Sequence, residues 1–463
     1  MRRLVFCFDG SWNALDIEKE PTNVLLVAES IVPIGRDDVV QIVHYDEGVG
    51  TSSDDTIRGG AFGFGLDENV REAFRFLIFN YQPGDEIFVF GFSRGAFSAR
   101  SFVGFLEAVT ILDKANARRI KEAWELYKNH SKEPEKYSAD VKEFRKHHCR
   151  DMFTDIGDFT QMSGLESSRA PKNIDLLKIR YVGVWDTVGS LGWKVVLSIF
   201  DRRTDKQYRN YDTSLSKSLE SGRHAVALDE KRVLFAPTLW NNVEDLNRRV
   251  NFDGEAADAP FQQLWFAGDH GSVGGGGSVR GLSNAALHWI LKGAVSKGMK
   301  FNLEERSQLK DIRYDHRTPL HNTPKLGPQK NMMGVFIIGW LMEKLKSYIL
   351  SSPRSGPSSV SEIHPSALRR VFADDLPEGR RYCPTSLKHK MDEIRACKDT
   401  FAPPADPDSY FEHEISKGDL LSALAKRYLH KSSRYPEIFE INRDRIDHPD
   451  DVFPGDKIRI PKL

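Results

Sequence analysis

The pentapeptide Gly91-Phe92-Ser93-Arg94-Gly95 places a serine between glycines in the pattern G-x-S-x-G. A serine in this pattern is a candidate nucleophile when a strand precedes it and a helix follows, because the tight turn then presents the hydroxyl at the sheet edge. Residues 86–90 are rich in strand formers, and residues 96–106 have helical spacing. We therefore predict that Ser93 is the nucleophile of an acyl-transfer site. The alternative is a glycine-rich turn that only packs a helix against a sheet.

A serine hydroxyl becomes reactive only when a base takes its proton and a carboxylate orients that base. Where a G-x-S-x-G turn carries the serine, the acid and then the histidine follow in chain order, each after a strand. Asp186 follows the apolar residues 178–185, and His270 follows residues 263–267. We predict Asp186 as the acid and His270 as the base. The glycine-rich residues 271–277 would let the backbone approach the serine closely.

Other side chains compete for these two roles. Asp269 directly precedes His270, and Asp9 ends the first predicted strand, so both are alternative acids. We expect His224 to have a structural role, because its segment has the pattern of a helix with an apolar face. The alternative bases are His224, His288 and His364.

Acyl transfer also needs hydrogen-bond donors for the oxyanion of the tetrahedral intermediate. The backbone N–H of Arg94, the residue after the nucleophile, is the expected first donor. The second donor in such sites comes from the loop after an early strand, where Gly10 and Ser11 lie. We predict Arg94, Gly10 and Ser11 as the oxyanion hole; the alternative is that Gly10 and Ser11 form only a tight turn.

Apolar runs of strand length alternate with helical patterns along most of the chain. Residues 112–170 are charged and helical without a strand pattern, which is typical of an insertion that caps the strand ends. Strands alternating with helices predict an α/β catalytic domain with a mostly parallel sheet, here at residues 1–397. The predicted strands are residues 3–8, 39–45, 86–90, 178–185, 232–236 and 263–267, with a helix at 66–81.

Charge and cysteine content exclude several classes of function. The 66 Lys and Arg residues balance 66 Asp and Glu residues, so no excess of positive charge favours nucleic acid as a partner. The four cysteines show no C-x-x-C pair and no zinc-ligand spacing. The glycine-rich residues 59–65 lack the Lys-Ser/Thr pair of a phosphate-binding loop. We therefore expect no metal, no other cofactor and no disulfide framework.

Two sequence features bear on localisation. Asp9 interrupts the N-terminal apolar run too early for a secretion signal. The longest apolar run, residues 332–342, is well short of the ~20 residues that span a bilayer. We interpret this run as a buried helix, with a lipid-facing segment near the site as the alternative. The expected location is the cytoplasm of the producing cell, with at most peripheral contact with a membrane.

A set of motifs, taken in order, is similar to one known family. The motifs are residues 8–13, 58–63, 84–96, 185–189, 224–225, 229–230 and 265–276. Over roughly residues 1–375 the chain resembles the α/β-hydrolase domain of bacterial type VI secretion phospholipase effectors, the first lipase-effector family. The resemblance implies an α/β-hydrolase fold, the triad Ser93, Asp186 and His270, and hydrolysis of phospholipid esters. It also implies a secretion apparatus and an immunity protein as partners, and delivery to the periplasm of a target cell.

The C-terminal residues 410–463 form a separate pattern after a proline-containing linker at 398–409. They resemble a LysM domain, with residues 415–428 similar to its first strand and helix, 435–443 to its second helix and 452–461 to its closing strand. LysM domains bind N-acetylglucosamine polymers such as peptidoglycan, and others serve as protein adaptors. Both roles remain open here.

Two classes of function therefore compete. The leading hypothesis is a serine esterase for lipid or phospholipid acyl esters, acting as an antibacterial effector or as a defence enzyme in its own cell. The alternative is a cell-envelope or adaptor protein with an inactive hydrolase domain, whose function resides in the LysM-like module. An intact Ser93–His270 pair would react with a fluorophosphonate probe, whereas a degenerate pair would not.

Overall fold

The structure is a computed structural model of the 463-residue chain. It describes all residues except 11–19, 36, 49–60, 168–170, 172–173, 190–217, 255–257, 303–308, 310–313, 321–351, 402–408, 417, 447–448 and 463. The apolar run at 332–342 therefore lies outside the described residues. Within them, no helix has both the length and the apolar character that crossing a bilayer requires.

A six-stranded, fully parallel sheet forms the centre of the catalytic domain, in the order β2-β1-β3-β4-β5-β6. Helices cover both faces of the sheet, so the strands are buried and most of their sequences are nearly continuous apolar runs. This confirms the predicted α/β class. The strands are β1 (Arg3–Phe8), β2 (Gln41–Asp46), β3 (Glu86–Phe92), β4 (Lys178–Trp185), β5 (Gly222–Ala227) and β6 (Phe261–Phe266).

Alternate residues of each strand face opposite layers of helices. Among the described residues the α-helices of the domain are α1 (Asn23–Ser30), α2 (Ala61–Asn80), α3 (Arg94–Val109), α4 (Ile120–Lys132), α5 (Pro134–His148), α6 (Ile156–Ser163), α7 (Val243–Arg249), α8 (His270–Gly274), α9 (Gly281–Ser296), α10 (Pro365–Phe372) and α11 (Met391–Ala396). On β1, Leu4, Phe6 and Phe8 pack towards α2 and α3, whereas Val5 and Cys7 pack towards α1 and α9.

The charged insertion at 112–170 contains the helices α4, α5 and α6. Helix α4 packs Trp124 edge-on against Phe105 of α3, with ring centroids 5.2 Å apart, and Tyr127 lies against the same ring. These aromatic residues anchor the insertion on α3. That it caps the strand ends stays a prediction.

One strand was assigned to the wrong segment. The residues around His224 form strand β5 instead of a helix, and the strand predicted at 232–236 is a short 3₁₀ turn at Val233–Phe235. On β5, Arg223 and His224 point to opposite faces but both are buried, because Arg223 donates to the carbonyl of Trp289 and His224 bonds Gln263. Because these two polar residues are buried with internal hydrogen-bond partners, the segment lacks the continuous apolar pattern by which a buried strand is predicted.

The C-terminal module has its own small core behind a two-stranded antiparallel sheet. Its elements are β7 (Tyr410–Glu414), α12 (Leu421–Tyr428), α13 (Tyr435–Glu440) and β8 (Lys457–Pro461). The first residues of the predicted linker, 398–401, form a 3₁₀ turn, and the ring of Phe401 stacks on that of Phe372. The rest of that segment, 402–408, lies outside the described residues.

Candidate active site

The turn between β3 and α3 holds Ser93 in a strained conformation. Its φ of 59° and ψ of −122° are rarely adopted by any residue other than glycine. A Cβ at Gly91 would lie 2.6 Å from the carbonyl oxygen of Gly95, and a Cβ at Gly95 would collide with the carbonyl oxygens of Phe8 and Asp9. Glycine is therefore required at both positions, and the start of α3 lies directly against the end of β1.

Three side chains form a continuous chain of hydrogen bonds at the carboxyl ends of the strands. His270 Nε2 lies 2.8 Å from Ser93 Oγ, and His270 Nδ1 lies 2.6 Å from Asp186 Oδ2. All three residues are buried, at 6, 0 and 7% exposure for Ser93, Asp186 and His270. The predicted residues are thus brought together from segments 177 and 84 positions apart. The order Ser, Asp, His is the one expected for a turn of this type.

Asp186 is held as a carboxylate in a fully buried position. Its Oδ1 accepts hydrogen bonds from the backbone N–H of Ala227 at 2.9 Å and from Arg354 at 2.5 Å. Burial by itself raises the pKa of Asp186, but the charge of Arg354 and the hydrogen bonds from His270 and Arg354 outweigh it. Together they keep the pKa well below its ordinary value. The acid is therefore ionised at all physiological pH values.

His270 begins the short helix α8, and its ring lies between two aromatic side chains. Phe92 lies 4.6 Å away, and Phe235 contacts the ring edge-on at 4.8 Å, measured between ring centroids. A Cβ on Gly274 would collide with the ring of Phe92, which confirms that the glycine-rich stretch allows close approach to the nucleophile turn. These contacts leave the imidazole little freedom to rotate.

The alternative acids have structural partners. Asp269 caps α8 by accepting a hydrogen bond from the backbone N–H of Ser272 at 2.9 Å. Asp9 accepts hydrogen bonds from the hydroxyls of Thr22 at 2.5 Å and Tyr45 at 2.8 Å. Neither occupies the position that Asp186 holds beside His270 Nδ1.

The alternative bases lie elsewhere as well. His224 accepts from the backbone N–H of Thr187 at 3.2 Å, and burial, helped by Arg100, lowers its pKa to about 3. It is thus a neutral structural histidine that supports the loop after Asp186. His288 lies on α9 beside the C-terminal module, and His364 caps α10 by accepting from the backbone N–H of Ser366.

The expected oxyanion donors are partly defined. Arg94 occupies the first position of α3, where backbone N–H groups have no acceptor within the helix. The N–H of Gly10 donates to the carboxylate of Asp9 at 2.6 Å, so a role in the oxyanion hole requires this bond to be exchanged. Ser11 lies outside the described residues. All three assignments stay predictions.

Two neighbours of Asp186 and His270 have no signal in the sequence. Arg354 lies in the Ser-, Pro- and Gly-rich residues 351–360, whose composition is typical of a loop. Phe235 lies in the segment that was predicted as a strand. Arg354 contacts Asp186, and Phe235 contacts His270, across more than 30 residues of chain, and no local pattern marks such contacts.

A parallel α/β sheet with a strained serine turn and a buried Ser-His-Asp hydrogen-bond chain defines a hydrolase-type α/β protein. Comparison with known proteins agrees: the family model described as "T6SS, Phospholipase effector Tle1-like, catalytic domain" matches residues 2–293. The chain belongs to this family. A LysM domain model matches residues 413–461.

Individual relatives cover parts of the chain. An uncharacterized protein of Saccharomyces cerevisiae is 28% identical over 254 residues, which is 50% of this chain and 32% of the relative. A potassium binding protein of Escherichia coli O6:H1 is 34% identical over 61 residues, 13% of this chain and 40% of the relative. The chain therefore spans about a third to two fifths of these curated relatives.

Two solved structures are similar at low identity. The Tle1 effector bound to the VgrG spike of the type 6 secretion system is 18% identical, with a TM-score of 0.28, and the match covers 60% of this chain and 51% of that chain. An uncharacterized protein from Pseudomonas aeruginosa is 14% identical, with a TM-score of 0.36, and the match covers 98% of this chain and 75% of that chain.

Proposed function

We propose that the chain is a serine esterase that cleaves acyl esters of lipids or phospholipids. The observation that carries this proposal is the hydrogen-bond chain from Ser93 Oγ through His270 to Asp186, at 2.8 and 2.6 Å. Both distances are within the range for a nucleophile, a base and its orienting group. Membership of the phospholipase-effector family supports phospholipid as the substrate class.

In the proposed reaction, Ser93 Oγ attacks the ester carbonyl carbon while His270 Nε2 takes the hydroxyl proton. Asp186 holds the proton on Nδ1 and stabilises the imidazolium. The backbone N–H of Arg94, with a second donor from Gly10 or Ser11, binds the oxyanion. The imidazolium then protonates the leaving alcohol, which gives an acyl-enzyme. Water, deprotonated by His270, releases the fatty acid and restores Ser93.

Membership of the family supports a proposal for the cellular role. We propose an antibacterial lipase effector with a secretion apparatus and an immunity protein as partners, made in the cytoplasm and delivered to the periplasm of a target cell. The alternative role is a defence lipase that acts in its own cell through the same reaction. Peripheral contact with the target membrane would bring the substrate to Ser93. For the C-terminal module, the LysM match supports peptidoglycan as ligand, with a protein-adaptor role as the alternative.

The competing function, a binding protein with an inactive hydrolase domain, is separated by one experiment. Purified protein is incubated with a fluorophosphonate probe and, separately, with phospholipid vesicles whose products are identified by mass spectrometry. Wild type should be labelled and should release fatty acid, and Ser93→Ala should do neither. Ser98→Ala is the matched control, because Ser98 is also buried on α3 but does not contact His270. No labelling of a folded wild type would refute the esterase proposal.

A further inference from the structure

A buried arginine lies behind the acid of the triad. The Nη1 atom of Arg354 lies 2.5 Å from Asp186 Oδ1, and Nη2 lies 2.9 Å from Oδ2, so the guanidinium bonds both oxygens of the carboxylate. The side chain of Arg354 is 3% exposed and that of Asp186 is not exposed. A bidentate pair of this kind fixes the plane of the carboxylate as well as its position.

The same guanidinium ties two further parts of the site together. Nη1 donates to the carbonyl of Ala227 at 2.8 Å, and Nη2 donates to the carbonyl of Phe235 at 2.6 Å. Ala227 ends β5 and donates its own N–H to Asp186, while the ring of Phe235 contacts His270. One side chain therefore links the acid, the end of β5 and the aromatic wall beside the base.

The segment that carries Arg354 is anchored on both sides. The N–H of Ser352 donates to the carbonyl of Lys231 at 2.8 Å, and the imidazole of His389 bonds the carbonyl of Pro357 at 2.9 Å. Gly356 has a φ of +80°, and a Cβ there would collide with the carbonyl oxygen of Ser386. The fold thus holds this segment in one conformation against the site.

We propose that Arg354 is a positioning residue of the esterase: it holds Asp186 so that Oδ2 meets His270 Nδ1, and it partly offsets the negative charge that stabilises the imidazolium. The inference rests on the proposed function. Arg354 has two opposite effects on Asp186. It orients the carboxylate, but its positive charge weakens the attraction between that carboxylate and the imidazolium of His270. Removing Arg354 should therefore disturb orientation and favour protonation of the base.

The charges around His270 set the direction of this effect. The Nδ1 atom of His270 faces Asp186, which is paired with Arg354. The backbone N–H of His270 lies 3.4 Å from Glu230 Oε2. Glu230 is itself paired with Arg232 at 2.7 Å. The charged groups around the base are Asp186 with Arg354, Glu230 with Arg232, Asp269, which precedes His270 in the chain, and Arg94, which follows Ser93. Of these three arginines, Arg354 is the one that hydrogen-bonds Asp186.

The test compares Arg354→Gln, Arg354→Lys and wild type on a soluble p-nitrophenyl ester across pH, together with the rate of fluorophosphonate labelling of Ser93. For Arg354→Gln we expect kcat to fall about a hundredfold, the scale of a ~1 Å misplacement of a catalytic group, with KM little changed. The acid limb of its pH–rate profile, where activity falls as the pH decreases, should move to higher pH because a positive charge near the base has been removed. Arg354→Lys keeps the charge without the bidentate geometry, so kcat should fall while the acid limb stays near that of wild type.

Arg370→Gln is the matched control. Arg370 is also buried and makes a bidentate pair with Glu378 at 2.8 and 2.9 Å, and its other hydrogen bonds go to the carbonyls of His316 and Thr318. This variant should lose stability without any shift of the acid limb. If Arg354→Gln does not fold, Arg354→Lys and rescue of Arg354→Ala by added methylguanidine carry the test. Wild-type kcat and an unmoved acid limb in folded Arg354→Gln would overturn the inference. Absence of labelling in wild type would instead refute the esterase proposal.

Discussion

Replacing Asp186 with asparagine should impair both catalysis and folding, and the geometry of the site says why. Each oxygen of the Asp186 carboxylate accepts two hydrogen bonds: Oδ1 from Ala227 and Arg354, and Oδ2 from His270 and Arg354. In asparagine one of these oxygens becomes an NH₂ group. At the Oδ1 position it faces two donors; at the Oδ2 position it faces a donor of Arg354 and the Nδ1 of His270, which can accept only in the wrong tautomer. At least one of the four bonds is lost, and the charge of Arg354 is left buried without a carboxylate.

These losses have separate magnitudes. The known cost of the same substitution in a serine protease triad is about 10⁴-fold in kcat, because the histidine loses its correct tautomer. Breaking a buried ion pair by removing one partner costs about 3–5 kcal/mol, because the other charge remains buried. The double variant Asp186→Asn with Arg354→Met removes that charge as well. It should recover most of the stability and none of the activity.

The assay measures kcat/KM on a soluble ester and the urea midpoint for wild type, both single variants and the double variant. Since Asp186 has a lowered pKa in the folded state, its contribution to stability is complete above about pH 4 and is lost as the pH falls further. The free energy of unfolding of Asp186→Asn should therefore decrease less than that of wild type as the pH falls below about 4. If Asp186→Asn keeps more than a tenth of the wild-type activity, Asp186 is not the acid. If its stability is unchanged, Arg354 does not depend on the carboxylate.

The remaining predictions address the base, the serine turn and the C-terminal module. His270→Ala should lose nearly all activity, whereas His224→Ala should be less stable but should keep at least a tenth of it; the reverse result would reassign the base. Gly95→Ala should abolish activity or folding because its Cβ meets main-chain oxygens, while Gly104→Ala on the same helix meets only the side chain of Tyr127 and should be milder; equal effects in activity and urea midpoint would contradict this. Truncation after Phe401 should preserve soluble-ester hydrolysis and abolish co-sedimentation with peptidoglycan sacculi; unchanged sedimentation, or none in either form, would leave the adaptor role.

That Ser93, Asp186 and His270 lie together could be predicted from sequence because local chemistry marks each of them; their catalytic roles stay a proposal. Ser93 lies in a glycine-flanked turn, and Asp186 and His270 each follow an apolar run that ends in a turn. Parallel strands bring their carboxyl ends to one edge of a sheet, so strand order and chain order together place the three side chains. The structure adds the distances and the strained φ of Ser93, which no sequence pattern provides.

What could not be predicted depends on distant partners. Strand β5 was missed because Arg223 and His224 are polar, and their internal acceptors and donors lie 66 and 39 residues away. Arg354 was missed for the same reason, since its partner Asp186 is 168 residues away. A Ser-, Pro- and Gly-rich composition is typical of a loop, but it says nothing about whether the fold anchors that loop. Long-range polar contacts of this kind leave no periodic signal.

The C-terminal module contacts the catalytic domain through a few polar groups. Asp451 lies 3.4 Å from Lys292 and 3.9 Å from His288, and Phe453 packs edge-on against the imidazole of His288. The side chain of Lys292 is 26% exposed and that of Asp451 8%, so this ion pair is partly buried. Within the described residues, Lys292 and His288 lie on α9, and Arg369 of α10 donates to the carbonyl of Arg443 at 3.4 Å. None of these side chains belongs to the hydrogen-bond chain of Ser93, His270 and Asp186. We therefore expect ester hydrolysis to survive truncation of the module, whereas binding to an insoluble ligand does not.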